Sequence, residues 1–451
     1  MIRALLALCV AGALAACSSG GSVPAGGTGS GSGSSSTSST SSTTTSSSSG
    51  GTTLTNFATV TVDAGPAALN VGPNAYTSTN SPFVSVTICA PGSATNCQTI
   101  DHVILDTGSV GLRIVQSVLN TSLLTALPTE SDASGNPVGE CYQYVNSYVF
   151  GSVRQADFAI GGEKVANMPF NVMGDTGSFS SVPSSCSSGG GTETNTVQTF
   201  GGNGILGVGT TPTDCGADCQ VTNGSAAATY YDCPSSGCAT IITRNASTVA
   251  PFQQLPNPVA AFSTDNNGTI ISLPAVAPAG VVTLTGTIYF GIGTQTNNAL
   301  SGATVLPASL STSAIGSGLV TATYNGTKLP ISYIDSGTNA YYFVDSAIAT
   351  CKSTGFSGFY CPTSALSLAP TITGTNGTVG NASFTLYNAE TSPAATSNAV
   401  PGIGVNPNVP PPTTPITNSF AFGLPFFFGR NVYTAIEGRN AGGVAGPYFA
   451  Y

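Results

Sequence analysis

Beyond residue 54 the chain alternates short apolar runs with clusters of Gly, Pro, Asn and Ser, and no long segment has the apolar period of a helix. The runs are rich in Val, Ile, Thr, Phe and Tyr, which favour strands. Clear examples are Phe57–Val62, Phe83–Cys89, Tyr148–Ile160, Val281–Phe290 and Leu319–Tyr324. Because short strands recur with turn residues between them, the pattern predicts an all-β body.

Turn and helix signals refine this pattern at a few positions. Asn325-Gly326 follows the run Leu319–Tyr324 and predicts a tight hairpin, because both residues readily adopt positive φ angles. We expect short helices near Val115–Leu127 and Val344–Thr350. The segment Thr391–Pro415 is rich in Pro, Asn, Ser and Thr, so we expect a long surface loop there.

The first residues follow a different pattern. Arg3 precedes an apolar run from Ala4 to Ala16, which is the layout of a signal peptide and is too short to span a bilayer. The run ends in Leu-Ala-Ala-Cys, which resembles the lipobox of bacterial lipoproteins and implies lipid attachment at Cys17. Ser18 follows, as in lipoproteins sent to the outer membrane. We therefore expect an exported lipoprotein at the outer membrane or cell surface.

A low-complexity segment separates this signal from the body. In Ser18–Thr53, 33 of 36 positions are Ser, Thr or Gly. Such a segment cannot bury enough apolar area to offset its chain entropy, so we expect a disordered tether with a span of roughly 30–36 Å. The sequence thus predicts a signal peptide at 1–16 and a lipidated cysteine with its linker at 17–53.

The charge and histidine content exclude several classes of function. The chain has 9 Lys and Arg against 18 Asp and Glu, a net charge of −9, which argues against binding nucleic acid. Its single histidine, His102, argues against Ser-His-Asp and Cys-His catalysis and against a histidine-rich zinc site. An enzyme of this composition would have to use carboxylates or a bound cofactor.

The cysteines indicate disulfides. Ten remain once Cys9 and Cys17 are set aside, and an even number in an oxidising compartment predicts up to five bonds. Cys89 with Cys97 and Cys351 with Cys361 are close in sequence and are the pairs that form most easily. Cys141–Cys186 is a plausible third pair by elimination. Three connectivities, or a four-cysteine zinc site, remain open for Cys215, Cys219, Cys233 and Cys238.

One seven-residue pattern occurs twice. Val103–Ser109 reads VILDTGS, and Ser332–Thr338 reads SYIDSGT. In both, an apolar pair precedes Asp, a hydroxyl residue, Gly and a second hydroxyl residue. The apolar pair predicts a buried strand end, Gly permits a sharp turn, and the hydroxyls can donate hydrogen bonds to the carboxylate. Each turn would present an acid in a place that is otherwise core.

This pair of turns resembles the two Asp-Thr/Ser-Gly turns of the pepsin-like aspartic peptidases, one from each lobe. Four further segments match that family in order along the chain. They are the flap hairpin at Tyr144–Gly162, the apolar-Gly segments at Gly204–Gly209 and Phe420–Arg430, and the closing strand at Asn431–Glu437. The resemblance covers roughly residues 54–451. It implies two β lobes, 54–255 and 256–451, with a cleft between them.

The resemblance also assigns roles. Asp106 and Asp335 would be the catalytic pair and would share one proton, because two close carboxylates cannot both ionise easily. Tyr144 would close over the substrate as the flap tyrosine. The residues that would orient the pair are those of the two turns: Thr107, Gly108 and Ser109, and Ser336, Gly337 and Thr338. In these roles Ser109 and Thr338 hold the outer carboxylate oxygens, and Thr107 and Ser336 tie the two loops together.

Several positions depart from the family pattern. Arg113 stands where a Trp is usual, and the chain has no Trp. A buried cation so near the site would lower the pKa of at least one of the two carboxyls. The flap tip Val145–Ser147 is poor in glycine, Leu424 replaces a common Asp, and the Cys-rich stretch 210–250 lengthens the spacing between the two aspartates.

These observations favour a membrane-tethered aspartic endopeptidase that acts on peptides or proteins as a monomer. We expect no cofactor, no metal and no nucleic acid. The alternative is a catalytically inactive scaffold that serves as a surface binding or adhesion lipoprotein, which the missing Trp, Arg113 and the altered flap favour. A carbohydrate-binding β module has only scattered tyrosines in its support.

Overall fold

The computed structural model describes most of the body of the chain. The described residues are 55–451 without 74, 133–134, 145, 188–190, 217–228, 239, 242–253, 312–316, 354, 393–395 and 411–415. The predicted signal peptide, the lipidated cysteine and the linker lie outside the described residues, as does Val145 at the flap tip.

The described chain is mostly strand. The strands of its first part are β1 (Phe57–Val62), β2 (Pro82–Cys89), β3 (Cys97–Asp106), β4 (Val110–Val115), β5 (Val138–Gln143), β6 (Ser147–Ile160), β7 (Glu163–Met173), β8 (Thr192–Glu193), β9 (Gly204–Val208), β10 (Tyr230–Asp232) and β11 (Thr240–Ile241). Those of its second part are β12 (Gly268–Leu273), β13 (Leu284–Phe290), β14 (Val305–Pro307), β15 (Val320–Tyr324), β16 (Thr327–Ile334), β17 (Tyr341–Tyr342), β18 (Leu366–Leu368), β19 (Thr371–Thr373), β20 (Val379–Asn381), β21 (Phe384–Leu386), β22 (Gly404–Val405), β23 (Ala421–Phe422), β24 (Arg430–Ala435), β25 (Asn440–Ala441), β26 (Val444–Ala445) and β27 (Tyr448–Ala450).

In the part of the chain that the structure describes, helices are few and short. The α-helices are α1 (Thr121–Ala126), α2 (Ser184–Ser187) and α3 (Val197–Phe200), and the 3₁₀ helices are Ala67–Asn70, Gln116–Val118, Gly177–Phe179 and Leu424–Phe426. No helix of the described residues is long and apolar enough to cross a membrane.

Two sheets carry the two aspartate turns. The larger has 16 described strands in the order β11-β10-β5-β6-β7-β4-β9-β3-β2-β1-β13-β12-β24-β27-β14, with β8 beside β6, and contains the first turn between β3 and β4. The smaller, β20-β19-β15-β16-β23-β17-β22, contains the second turn between β16 and β17. The prediction of an all-β chain with two lobes is therefore confirmed. Antiparallel pairing of β1 with β13 carries the larger sheet into the second half of the chain, and the boundary at 255/256 stays a prediction.

The strands that the apolar runs predict are present within a few residues of their expected ends. The hairpin at Asn325-Gly326 is also confirmed, because Tyr324 pairs with Thr327 and both turn residues have positive φ, 48° and 77°. The region Val115–Leu127 contains a 3₁₀ helix and α1, as expected.

Two local predictions are wrong. Val344–Thr350 forms a turn instead of a helix, because its end pairs in an extended conformation: Thr350 forms an antiparallel bridge with Tyr360, and the Ala349 carbonyl accepts from the Cys361 N–H. Thr391–Pro415 is not simply a surface loop. Its residues 397–400 are buried, and β22 within it pairs with β17 in the second lobe.

Four described disulfides stabilise the body. Cys89–Cys97, Cys141–Cys186 and Cys351–Cys361 form as predicted. Cys233 bonds to Cys238, and Cys215 is also disulfide-bonded. The four-cysteine zinc site is therefore wrong, because a disulfide leaves no thiolates to bind the metal.

Candidate active site

The first aspartate turn is held by a strand that lies between its two arms. β3 ends at Asp106 and β4 begins at Val110. Strand β9 runs parallel to β3, with Asp106 opposite Gly207, and antiparallel to β4. The apolar-Gly segment at Gly204–Gly209 therefore packs across the turn, as the sequence predicts.

The second turn repeats this arrangement in the other lobe. β16 ends at Ile334, directly before Asp335, and runs parallel to β23 with Ile334 opposite Phe422. The strand that leaves the turn, β17, is antiparallel to β23. Two segments far apart in the chain thus form the same unit, in which an apolar strand pairs with both arms of an aspartate turn that faces the other lobe.

Each aspartate receives the same pair of hydrogen bonds. The Gly108 N–H donates to Asp106 Oδ1 at 2.8 Å, and the Ser109 hydroxyl donates to Oδ2. The Gly337 N–H donates to Asp335 Oδ1 at 2.8 Å, and the Thr338 hydroxyl donates to Oδ2 at 2.7 Å. These donors fix the orientation of both carboxyl groups.

The two turns are tied together by a reciprocal exchange of hydrogen bonds. The Thr107 N–H donates to the Ser336 hydroxyl at 3.1 Å, and the Ser336 N–H donates to the Thr107 hydroxyl at 3.0 Å. Each hydroxyl then donates to a carbonyl of the opposite strand, Thr107 to Ile334 at 3.3 Å and Ser336 to Leu105 at 2.7 Å. All four groups are buried and satisfied, so the lobes meet in one register at this point.

Glycine at the centre of each turn lets the carboxyls approach. A Cβ atom at Gly108 would lie 2.5 Å from the Asp335 carboxyl carbon, and one at Gly337 would lie 2.6 Å from Asp106 Oδ1. The Asp106 carboxyl also hydrogen-bonds to that of Asp335. The structure therefore brings Asp106 and Asp335 together, each against the turn of the other lobe.

The environment of this pair favours a bound proton. Asp106 and Asp335 have 0% and 1% of their surface exposed. Burial is the main cause that raises the pKa of Asp335 well above its usual range, and the charge of Asp106 and the hydrogen bond to it raise it further. The Thr338 and Gly337 donors oppose this rise but do not outweigh it. The pair can thus supply a protonated and an ionised carboxyl side by side.

Tyr144 lies at the tip of the hairpin formed by β5 and β6. Its N–H donates to the Ser147 carbonyl at 2.7 Å. Its ring centre is 5.0 Å from that of Tyr142 and 6.1 Å from that of Phe200, and only 6% of the residue is exposed. The segment predicted as the flap therefore forms a hairpin, with Tyr144 packed against the first lobe, and its role as a flap stays a prediction.

Arg113 is fully buried on β4, where it is held by acids and an aromatic ring. Its Nη2 lies 2.6 Å from Glu140 Oε1 and 3.6 Å from Asp214 Oδ2. Its guanidinium carbon is 3.8 Å from the centre of the Tyr142 ring. Its charge is therefore balanced within this cluster. The pKa of Asp335 is raised, by burial first of all, and the expected lowering of the pKa of at least one of the two carboxyls by Arg113 stays a prediction.

The acids of this cluster were missed in the sequence. Glu140 and Asp214 are 74 residues apart and have fully buried side chains. Burial, followed by the charge of Glu140, raises the pKa of Asp214 well above its usual range. A buried arginine needs acidic partners, so the departure at Arg113 was the available signal. Nothing local showed which acids they would be.

Other candidate groups lie apart from the pair. His102 contacts Asp63, with Nε2 3.4 Å from Oδ1, and packs edge-on to Phe83. Among the described residues, one group of potential metal ligands lies together: Cys351, Cys361 and Glu390. Those two cysteines are bonded to each other, so their sulfur atoms are not available as thiolates.

Comparison with known proteins gives one family and one fold likeness. Residues 52–451 match the model of a family described as a protein of unknown function (DUF3443). No curated protein matches the chain. Among solved structures, the chain is similar to the aspartic proteinase from Irpex lacteus at 13% identity and a TM-score of 0.47, over 87% of this chain and 96% of that chain.

The raised pKa of Asp335 predicts a pH-dependent stability. The proton is bound more tightly in the folded state, so this stabilisation is complete below the ordinary pKa of 3.8 and is lost as pH rises through the folded pKa. Asp335→Asn should therefore have a higher free energy of unfolding than the wild type at pH 7, by on the order of 1 kcal/mol, and should unfold at a higher denaturant concentration. This difference in stability should vanish near pH 4.

A control with the opposite sign is available at Asp63. The hydrogen bond from His102 is the main cause that lowers the pKa of this carboxyl, so its contribution is lost as pH falls. Asp63→Asn should accordingly be less stable than the wild type at pH 7. Equal unfolding midpoints for Asp335→Asn and the wild type at every pH would contradict the assignment of a shared proton.

Removal of Arg113 should be costly because it leaves Glu140 buried without a cation. We expect Arg113→Met to lower the free energy of unfolding by about 3–5 kcal/mol. Arg113→Met combined with Glu140→Leu should recover much of that loss, since the one acid that remains in the cluster is Asp214, whose pKa is raised by burial so that it can bind a proton instead of staying charged. Arg439→Met, at an exposed position, should change stability by less than about 0.5 kcal/mol. Urea unfolding of the four proteins tests this, and a double variant no more stable than Arg113→Met would contradict it.

Proposed function

The chain belongs to the family of proteins of unknown function described as DUF3443, and we propose that it is an aspartic endopeptidase. The observation that carries this proposal is the facing pair Asp106 and Asp335. Each acid has its own backbone and hydroxyl donors, and each lies against the glycine of the opposite turn. Peptide hydrolysis is the chemistry that such a pair suits, because it needs a base and an acid on either side of one water molecule.

The proposed reaction is the addition of water to a peptide carbonyl. One ionised carboxylate takes a proton from water while the water oxygen forms a bond to the carbonyl carbon. The protonated carboxyl hydrogen-bonds to the carbonyl oxygen and stabilises the tetrahedral intermediate. The carbon–nitrogen bond then breaks as the nitrogen takes a proton from the pair. The products are one carboxylic acid and one amine.

The surrounding residues would keep the two carboxyl groups in a constant orientation and at a constant separation. Ser109 and Thr338 hold the outer oxygens, which leaves the inner oxygens for water and substrate. Thr107 and Ser336 would prevent the lobes from sliding and so keep the carboxyls at a constant separation. Tyr144 would move from its packed position over the bound peptide, as the flap does in the family that the sequence resembles.

We also propose that the enzyme is exported and held at a bacterial membrane. The support is the sequence of the first 53 residues: a short apolar signal, a cysteine at its end and a linker of Ser, Thr and Gly. Lipid on Cys17 would supply the membrane affinity, and the linker would let the body reach substrates roughly 30–36 Å away.

The catalytic proposal predicts the behaviour of the two aspartates. Asp106→Asn and Asp335→Asn should each reduce kcat/KM by about 10³-fold or more, and the double variant should be little worse because the two act as one unit. Activity should follow a bell-shaped pH profile on the acid side of neutrality, since one proton must stay on the pair. The assay uses the Cys17→Ser chain, a mixed peptide library and several acidic pH values.

Two further measurements complete this test. Asp63→Asn changes an acid outside the pair and should retain activity. A peptide mimic with a hydroxyl-bearing carbon in place of the scissile carbonyl should bind the wild type and lose most of its affinity in either aspartate variant. A folded, disulfide-intact protein that cleaves no peptide and does not bind the mimic would favour the binding or adhesion function instead.

The anchoring proposal predicts that Cys17→Ser releases the protein from membranes. The acyl chains would be lost, and the linker has no amphipathic face to replace them. Fractionation of cells that express each form, followed by a salt wash, measures this. Retention of Cys17→Ser in the washed membrane fraction would contradict lipid anchoring.

A further inference from the structure

The connection between β1 and β2 is much longer than its ends require. The two strands are antiparallel neighbours, with Val62 opposite Pro82, and such neighbours can be joined by a two-residue turn. Here residues 63–81 intervene, all described except residue 74. We name this segment the strap. Its own base is closed by a hydrogen bond from the Ser78 N–H to the Ala64 carbonyl at 2.9 Å.

One part of the strap packs on the first lobe beside the flap. Leu69 is fully buried and belongs to the same apolar cluster as Tyr144 and Phe200. The Tyr76 hydroxyl donates to the Gln198 carbonyl at 2.7 Å, and the Gln198 side chain donates to the Val71 carbonyl at 2.9 Å. The strap therefore rests against the residues that surround the flap tyrosine.

The end of the strap is bonded to the second lobe through Asn80. This residue is fully buried. Its side-chain amide donates to the carbonyls of Asn339 and Val400, both at 2.9 Å. Its oxygen accepts from the Val400 N–H at 2.8 Å, and its own N–H donates to the Asn398 carbonyl at 2.7 Å. One asparagine thus makes four hydrogen bonds to the other lobe.

The position of Asn339 places this contact beside the candidate active site. Asn339 directly follows Thr338, whose hydroxyl holds Asp335. The strap therefore contacts the cluster of Tyr144 on one lobe and the residue after the second aspartate turn on the other, so it links the two lobes. These two contacts of one continuous segment would leave less room for an extended peptide beside Asp106 and Asp335, the pair that we call the dyad.

We propose that the strap closes one end of the cleft and that Asn80 locks it there, so that a peptide extends from the dyad freely in one direction only. Leu69 and Asn80 are then specificity-determining residues that limit how much of the chain is recognised on the blocked side. This inference rests on the proposed peptidase function and deepens it. The near-complete burial of Asp106 and Asp335 agrees with a cleft that is restricted in the absence of a peptide.

The strap can be removed without stretching the chain. A Cβ atom at Gly65 would lie 3.2 Å from that of Ser78, so excision of residues 66–77 joins two neighbouring points and leaves Asp63 and Asn80 in place. The probes are three mimics with a hydroxyl-bearing carbon at the scissile position: a short one, one extended on its amino side and one extended on its carboxyl side.

For the wild type, we expect extension to improve affinity on one side and to give no gain on the other. Excision should restore a gain of about tenfold or more on the blocked side and leave the other side unchanged. Equal gains on both sides in the wild type would overturn the proposal, as would an excised protein with unaltered preferences. In both cases the peptidase function would still be supported if the short mimic binds the wild type and loses that binding in Asp335→Asn.

A failure of the function itself has a different signature. If neither the wild type nor the excised protein binds any mimic, the peptidase function and the role of the strap are both rejected. If only the excised protein binds, and Asp335→Asn removes that binding, the strap blocks the cleft completely and the proposal is supported in its strongest form.

The lock at Asn80 is tested separately, without a peptide. Asn80 has a φ of 54°, which glycine also adopts, so Asn80→Gly removes the side-chain bonds without straining the backbone. We expect hydrogen exchange of the Val400 amide, which donates to Asn80, to accelerate by about tenfold or more. Asn167→Gly is the matched control, because Asn167 has a φ of 51° and is exposed. Unchanged exchange at Val400 would overturn the lock.

Discussion

The exchange of hydrogen bonds between Thr107 and Ser336 is the constraint on which the rest of the structure depends. Each residue donates its N–H to the other's hydroxyl, and each hydroxyl donates to a carbonyl of the opposite strand. Because these groups are buried, no water can replace a lost partner at low cost. The lobes must therefore meet in one register. That register brings the two carboxyls together and forces glycine at the next position of each turn.

The same burial imposes a second requirement, on charge. A region that holds two acids without solvent favours one shared proton, as the raised pKa of Asp335 indicates. Nearby, Arg113 occupies a fully buried position and is balanced by Glu140 and Asp214 and stacked on Tyr142. Both Glu140 and Tyr142 belong to β5, which enters the flap hairpin. An ionic and cation–π cluster thus packs the β5–β6 hairpin against β4, the strand that leaves the first aspartate turn.

The sequence by itself determined the features that arise from neighbouring residues. Alternation and β-branched content located the strands, and Asn325-Gly326 located a hairpin, because side-chain direction and φ preference act over a few residues. The repeated Asp-hydroxyl-Gly-hydroxyl pattern identified both turns, since their donors and acceptors lie within three positions of each other. Local signals failed at Val344–Thr350, whose end pairs with Tyr360 in an extended bridge, and at Thr391–Pro415, which contains β22.

Only the tertiary structure decided which distant groups would meet. The acids that balance Arg113, the contact between Asn80 and Val400, and the packing of Leu69 near Tyr144 join residues that are far apart in the chain. A residue type signals that it needs a partner, as a buried arginine needs an acid, but many acids and carbonyls satisfy that need equally well. The choice among them follows from how the sheets pack and where the lobes meet. That is a property of the whole chain, because the free energy of each long-range contact depends on all the others being formed.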